Sequence, residues 1–328
     1  MTLPLPARTG ASPAISLDID PRTLGLERIV APSILGDVVV HAGRRSAHGP
    51  ATILLHGAAG SWSTWVPLIE AADRLGWPME DVIAIDLPGW GESEAVLEGA
   101  GVADMSTTVF DIATSLGYSR WRLVGHSLGG FVALDLAARH PEAAMSVGVV
   151  SPSGPAVLDA VRRPWRGGVR LPWFAGMLVA MRALACLGAA GRGIGRMLHR
   201  IGILAPLASP LFAARSAVDP SVFDALSREL RPAAFAAAAR AVSAYDIAAW
   251  AGIECPVRAV SGADDVFVGA GDAEVLGRII PDHRHHVIAG AGHFAAIERP
   301  EVVVDALLPF SARRSDRRAA GKTSDLVA

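Results

Sequence analysis

The 328-residue sequence is 51% hydrophobic and 19% charged, with a formal net charge of −2. These values exclude a disordered chain and give no sign of nucleic-acid binding. No uncharged apolar run is long enough for a membrane-spanning helix, and the N-terminus lacks the apolar segment of a signal peptide, so we expect a cytoplasmic protein. Cys186 and Cys255 lack metal-type spacing, and we interpret them as two buried thiols.

The first part of the chain alternates short apolar runs with helical patterns, after an irregular N-terminal segment of residues 1–26. The sequence predicts helices over residues 65–75, 104–116 and 128–139, and strands over residues 27–31, 37–41, 51–56, 81–86, 120–126 and 146–151. Strands that alternate with helices indicate a mostly parallel sheet with helices on both faces.

The alternation stops at Pro152 and resumes near Pro256. Residues 152–245 are rich in Ala, Leu and Arg and predict a helical insertion, or cap. Two more strand and helix pairs follow, over residues 256–262, 271–279, 284–290 and 300–310. We therefore predict an α/β core of residues 27–151 and 246–312, interrupted by the cap, with a flexible polar tail of residues 313–328.

The segment VGHSLGG, residues 124–130, contains a Gly-X-Ser-X-Gly pattern between a predicted strand and a predicted helix. This setting is typical of a nucleophile elbow, a sharp turn that exposes a serine above the sheet. Ser127 is thus the candidate nucleophile. The backbone amides of Leu128 and Ala58 are candidate oxyanion donors, with Ala59 as the second choice for the latter.

A serine nucleophile needs a base and a group that orients the base. We predict His293 as the base, because it follows the last strand in a Gly-rich loop. His56 we interpret as structural, and the histidines at 283, 285 and 286 as packing or solvent residues. Asp264 and Asp265 follow the preceding strand, and both are candidates for the acid.

Five motifs together resemble the α/β-hydrolase superfamily: HGAAGSWSTW, DLPGWGES, GHSLGG, SGADD and GAGHFAAIERPE. The branch they resemble contains esterases, lipases, C–C bond hydrolases and haloperoxidase-like perhydrolases. The resemblance implies the α/β-hydrolase fold, a Ser127–His293–Asp265 triad, oxyanion donors at Ala58 and Leu128, and no cofactor or metal. Ser127 argues against haloalkane dehalogenases and epoxide hydrolases, which carry Asp at that position. Phe294 and Leu128 stand where meta-cleavage C–C hydrolases and prolyl iminopeptidases usually carry Trp.

The activity we expect is serine-dependent hydrolysis of an apolar carboxylic ester, lactone or thioester. Alternatives are C–C cleavage, perhydrolysis or acyl transfer on the same fold, or a non-catalytic ligand-binding member. The partner is then a small molecule, with no nucleic acid, and the protein a monomer or homodimer.

The cap combines basic and apolar residues. Between Pro155 and Ser216, nine arginines accompany one acidic residue, Asp159, among many apolar side chains. Such a cap suits a lid over an apolar pocket, and weak contact with a membrane surface is a second interpretation. The predicted substrate contacts are Ala59, His126, Trp165, Trp173 and Phe294.

Overall fold

The computed structural model describes residues 14–46 and 49–308 and contains one eight-stranded sheet. The strands are β1 (Leu26–Ala31), β2 (Val38–Gly43), β3 (Ala51–Leu55), β4 (Val82–Ile85), β5 (Trp121–His126), β6 (Ala144–Val150), β7 (Val257–Gly262) and β8 (His283–Ile288). Their order in the sheet is β1-β2-β4-β3-β5-β6-β7-β8. β1 and β2 pair antiparallel, and the strands from β4 to β8 are parallel, which confirms the predicted mostly parallel sheet.

Helices of the core cover both faces of the sheet, because its central strands are apolar along their whole length. These helices are α1 (Val66–Arg74), α2 (Val102–Ser115), α3 (Leu128–Arg139), α11 (Asp272–Ile279), α12 (Ala295–Glu298) and α13 (Pro300–Leu307). One hydrophobic layer joins α2, α3 and α11 to the sheet, and a second joins α1, α12 and α13 to its other face. Two-sided burial holds the strand ends, and the loops that leave them, in place.

Every regular element described between β6 and β7 is helical. The α-helices are α4 (Pro155–Arg162), α5 (Pro164–Arg170), α6 (Pro172–Cys186), α7 (Ala189–Arg200), α8 (Leu204–Ala208), α9 (Pro220–Arg228) and α10 (Pro232–Ser243). Val157, Phe174 and Leu178 of these helices form a third hydrophobic cluster with Phe267, which follows β7 in the core. Burial of these side chains therefore holds the insertion against the sheet, in the position predicted for a cap.

Several details differ from the sequence-based expectations. The N-terminal segment is not wholly irregular, because Pro21–Leu24 form a 3₁₀-helix capped by the Asp20 carboxylate. Cys186 is exposed on α6, so the expectation of two buried thiols is wrong for this residue, whereas Cys255 is buried. The predicted tail of residues 313–328 lies outside the described residues. Within the described part of the chain, no helix is long and apolar enough to cross a membrane.

Candidate active site

Ser127 lies in the sharp turn between β5 and α3, with backbone angles of φ 49° and ψ −115°. This conformation is rare for a non-glycine residue and costs on the order of 1–3 kcal/mol. The turn closes only because its neighbours have no side chains. A Cβ atom on Gly125 would lie 2.4 Å from the Gly129 carbonyl oxygen, and one on Gly129 would lie 2.1 Å from that of Leu55. The two glycines of the motif therefore permit the strained turn that presents Ser127.

His293 and Asp265 form a buried pair next to this turn. His293 Nδ1 lies 3.0 Å and 3.1 Å from the two carboxylate oxygens of Asp265. The side chains are 5% and 1% exposed. Asp264, the other candidate acid, is exposed to solvent. The structure thus brings Asp265, and not Asp264, to the candidate base.

The Asp265 carboxylate is held in its charged form. Burial by itself would raise the pKa of Asp265, but the charge and the hydrogen bond of His293 outweigh it and lower this pKa to about 2. The Phe267 amide also donates to Oδ1, at 2.8 Å. An ionised carboxylate at Nδ1 leaves Nε2 of His293 as the ring nitrogen that can accept a proton.

Neighbouring rings restrict the orientation of the His293 imidazole. Phe267 contacts it edge to face with a centroid distance of 4.8 Å, and Phe294 does so at 5.6 Å. The backbone amide of His293 donates to the carbonyl of Leu211 in the cap, at 2.8 Å. The position of the candidate base therefore depends on both the core and the cap.

His126 supports His293 from below and does not contact the cavity. Its side chain is buried, and its Nε2–H group donates to the His293 carbonyl oxygen at 3.0 Å. Burial lowers the pKa of His126 to about 3, so the ring is neutral near neutral pH. We therefore correct the prediction that His126 contacts substrate: its buried ring packs against the rings of His293 and Phe294, and it does not line the cavity.

His56 shapes the loop that carries the second predicted oxyanion donor. Its Nδ1–H group donates to the Gly57 carbonyl at 2.7 Å, and its Nε2 accepts from the Leu87 amide at 2.9 Å. Burial lowers the pKa of His56 to about 4, and both ring nitrogens of the neutral ring are used. This is the structural role expected from the sequence. Histidines 283, 285 and 286 lie on β8 and do not line the cavity at Ser127.

The backbone amides of Ala58 and Leu128 make no hydrogen bond to another described residue. Both residues line the same cavity as Ser127 and His293. Leu128 is the first residue of α3, where amides have no partner within the helix and the helix dipole favours negative charge. The two predicted donors are thus available at the cavity wall.

A cavity of about 100 Å³ lies between the cap and the strand ends. Its wall includes Ala59 and Phe294, two of the predicted substrate contacts. Most of the other lining side chains are apolar and come from the cap: Val157, Val161, Phe174, Met177, Met181, Leu211, Leu226, Leu230, Phe235, Ala238, Ala239 and Val242. Such a wall suits an apolar ligand.

Trp165 and Trp173 do not reach this cavity. Their side chains are 71% and 55% exposed on the outer surface of the cap. On α6, Phe174 faces the cavity, whereas Trp173 lies about 100° away around the helix axis and faces solvent. The prediction that these two tryptophans contact substrate is therefore wrong for this arrangement of the cap.

Sequence reasoning missed three polar residues of the cavity wall. The Ser153 hydroxyl lies 3.3 Å from that of Ser127. Glu229 and Arg231, near the start of α10, form an ion pair of 3.2 Å, and Glu229 also accepts from the Gly91 amide at 2.8 Å. Burial raises the pKa of Glu229. Ser153 follows the carboxyl end of β6, a position that could have suggested it, whereas nothing in the sequence marked the ion pair.

Among the described residues, no group of three or more His, Cys, Asp or Glu side chains is arranged to hold a metal ion. The groups that the cavity brings together are the side chains of Ser127 and His293, with Asp265 behind His293, and two backbone amides.

Comparisons with known proteins agree with the fold described above. A family model for the alpha/beta hydrolase fold matches residues 50–300. An uncharacterised protein of Mycobacterium tuberculosis is 28% identical over 297 residues, which cover 88% of this chain and 84% of the relative. Among solved structures, a thermophilic esterase from Thermogutta terrifontis has a TM-score of 0.63 and 22% identity, with 89% of this chain and 98% of the other covered. Naproxen esterase from Bacillus subtilis has a TM-score of 0.60 and 17% identity, with 87% and 92% covered.

Proposed function

Since the chain belongs to the α/β-hydrolase family, and is accordingly a hydrolase, we propose that its substrate is an apolar carboxylic ester and that Ser127 is its nucleophile. The placement of three groups on one apolar cavity supports this proposal most directly. These groups are the Ser127 hydroxyl, the imidazole of the His293–Asp265 pair, and the amides of Ala58 and Leu128, which bond to no other described residue.

The proposed reaction begins when Nε2 of His293 takes the proton of the Ser127 hydroxyl. The Ser127 oxygen forms a bond to the ester carbonyl carbon, and the negative charge on the carbonyl oxygen is held by the amides of Ala58 and Leu128. The C–O bond to the alcohol then breaks, and His293 returns its proton to the leaving oxygen. In the second half of the reaction, His293 takes a proton from a water molecule, whose oxygen forms a bond to the acyl carbon. The bond from this carbon to the Ser127 oxygen then breaks, the acid leaves, and His293 returns the proton to Ser127.

The resting hydroxyl of Ser127 must change its partner before this step. In the structure it lies 3.3 Å from the Ser153 hydroxyl, and no hydrogen bond to His293 is formed within the described residues. A neutral hydrogen bond contributes only about 0.5–1.5 kcal/mol net, so the exchange is a small part of an enzymatic barrier. Catalytic hydrogen bonds are often long or absent before substrate binds.

The cavity limits the size of the group that the substrate places next to Ser127. A volume of about 100 Å³ accommodates roughly seven to ten water-sized groups, at about 10–15 Å³ each. The lining is apolar apart from the Ser153 hydroxyl, the catalytic groups and the Glu229–Arg231 pair. We therefore propose a short to medium acyl chain as the buried part of the substrate.

Two serine variants test the proposal. The wild-type protein and Ser153→Ala should hydrolyse p-nitrophenyl butyrate and be labelled by a fluorophosphonate, whereas Ser127→Ala should do neither. Ser153→Ala is the matched control, because it removes the same hydroxyl group from the same cavity wall. Labelling that persists in Ser127→Ala would refute Ser127 as the nucleophile, and a lack of turnover across an ester panel by a labelled wild-type protein would refute ester hydrolysis.

A further inference from the structure

Exposed apolar side chains are concentrated on one part of the cap. Of the fifteen large apolar side chains that are exposed among the described residues, ten lie between residues 165 and 207. They are Trp165, Val169, Trp173, Val179, Leu187, Ile194, Met197, Ile201, Ile203 and Leu207. A clustering of this kind marks an interaction surface, since single exposed apolar residues are otherwise scattered over a protein.

Helix α6 is apolar on all its faces, with Arg182 as its single charged residue. Its inner face packs Phe174, Leu178 and Met181 against the neighbouring cap helices. Its exposed positions include no charged residue: they are Pro172, Trp173, Gly176, Val179, Ala180, Ala183 and Cys186, and the exposed Leu187 follows the helix. A helix that is apolar all round is ordinarily buried in protein or in lipid, yet α6 is covered on one side only. No described residue therefore covers its outer face.

The segment of the chain that carries this face has a strongly positive net charge. Residues 155–216 contain nine arginines and one acidic residue, so the segment carries +8 while the rest of the chain carries −10. The single aspartate, Asp159, lies 3.6–4.0 Å from the guanidinium groups of Arg163, Arg166 and Arg170. One carboxylate shared by three arginines leaves a net positive charge beside the apolar face.

The combination of exposed apolar side chains and positive charge indicates which kind of partner can bind the outer face of α6. A second copy of the chain would bring two segments of charge +8 together, which opposes a symmetric dimer through this face. Nucleic acid would match the charge but leave the apolar side chains in water. A surface of anionic lipid matches both, because the headgroups attract arginine and the acyl boundary takes up apolar and aromatic side chains.

We propose that the outer face of helices α5 to α8 binds an anionic lipid surface, with Trp165 and Trp173 inserted at the level of the headgroups. Tryptophan is enriched at this level because its ring is apolar and its N–H group polar. The proposal is independent of the proposed esterase activity. It places the surface one helix away from the cavity, since the inner face of α6 contributes Phe174 and Met177 to the cavity wall.

Vesicle binding by the full-length protein tests this surface. We expect the protein to sediment with vesicles of phosphatidylcholine and phosphatidylserine at least about tenfold more tightly than with phosphatidylcholine alone, and added salt should weaken the binding. Cys186 is exposed and Cys255 buried, so a polarity-sensitive thiol dye will report from α6 itself. Its emission should shift to the blue when anionic vesicles are added.

Paired variants distinguish vesicle binding through this surface from non-specific binding. The double variant Trp173→Gln/Val179→Gln should lose binding by at least about tenfold and keep the wild-type unfolding midpoint, because both side chains are exposed. Trp77→Gln is the matched control: Trp77 is 42% exposed, lies outside the cap, and should bind vesicles like the wild type. Equal binding to neutral and anionic vesicles, or unchanged binding by the double variant, would overturn the proposal. Two other results would also overturn it, provided that the wild type binds no vesicles. One is a wild-type dimer in sedimentation that the double variant does not form, and the other is wild-type binding to an oligonucleotide that the double variant loses.

Discussion

Replacement of Gly129 by alanine tests the strained turn at Ser127. A Cβ atom at this position would lie 2.1 Å from the Leu55 carbonyl oxygen and 2.5 Å from that of His56. Non-bonded carbon and oxygen atoms need at least about 3 Å, and both obstacles are backbone atoms that cannot rotate away. The start of α3 must therefore move by roughly 1 Å relative to β3, at a cost of about 1–3 kcal/mol.

The same movement displaces the Ser127 hydroxyl and the Leu128 amide. A misplacement of about 1 Å at reacting groups can reduce a rate on the order of 10²-fold. We expect Gly129→Ala to lose at least this factor in kcat/KM for p-nitrophenyl butyrate, measured beside its free energy of unfolding in urea.

Gly176→Ala provides the matched control. Gly176 lies within α6, and a Cβ atom there would meet nothing within 4 Å. Since alanine favours a helix over glycine by about 0.5–1 kcal/mol, this variant should be slightly more stable and equally active. The reasoning fails if Gly129→Ala keeps both its stability and a kcat/KM within threefold of the wild type.

Three further variants examine the acid, the histidine loop and the cavity. Asp265→Asn should reduce kcat by roughly 10³–10⁴-fold. Because the pKa of Asp265 is lowered from 3.8 to about 2, its carboxylate contributes about 2 kcal/mol of stability above pH 4, which is lost as the pH falls towards 2. Urea titrations at several pH values should show this loss in the wild type and not in the variant. The same acid dependence of stability in both proteins would contradict the assignment. Glu298 accepts hydrogen bonds from the amides of Gly292 and Ala213, both at 2.7 Å. Its replacement by Gln puts an N–H group opposite one of these donors, so we expect a loss of about 1–3 kcal/mol in unfolding free energy. We also expect a lower kcat, because Gly292 directly precedes His293 in the chain. Full activity of the variant would show that the hydrogen bonds of Glu298 do not position His293. Val161→Phe should narrow the cavity, so hydrolysis of hexanoate esters should fall at least about tenfold relative to acetate esters, and an unchanged chain-length profile would place the acyl group elsewhere.

The sequence by itself determined the order of the elements and identified the candidate catalytic positions of the core. Apolar runs such as ATILL and VIAI are buried along their whole length, so their pattern identifies central strands without further information. The tight turn at Ser127 requires Gly125 and Gly129, which are close to it in sequence, so a short sequence motif is enough to identify the turn. This is why Ser127 and His293, each at the end of a predicted strand, could be proposed from the chain alone.

Tertiary structure decided which side chains share the cavity. Asp264 and Asp265 are adjacent in sequence, and only the direction of the loop after β7 brings Asp265 to within 3.0 Å of His293. Trp165 and Trp173 lie in an apolar, aromatic segment whose composition predicts a pocket wall, yet both side chains are exposed to solvent.

The cap shows the physical reason most clearly. Some of its helices, such as α4 and α9, are clearly amphipathic, but α6 is apolar on every face, so its sequence periodicity does not tell which face packs inward. The packing of α6 against α4 and α10 makes that choice, because it buries Phe174 and Met181 around the cavity and leaves Trp173 outside. Local patterns thus set the elements and the turn at Ser127, whereas contacts between residues distant in sequence set the inner and outer surfaces of the cap.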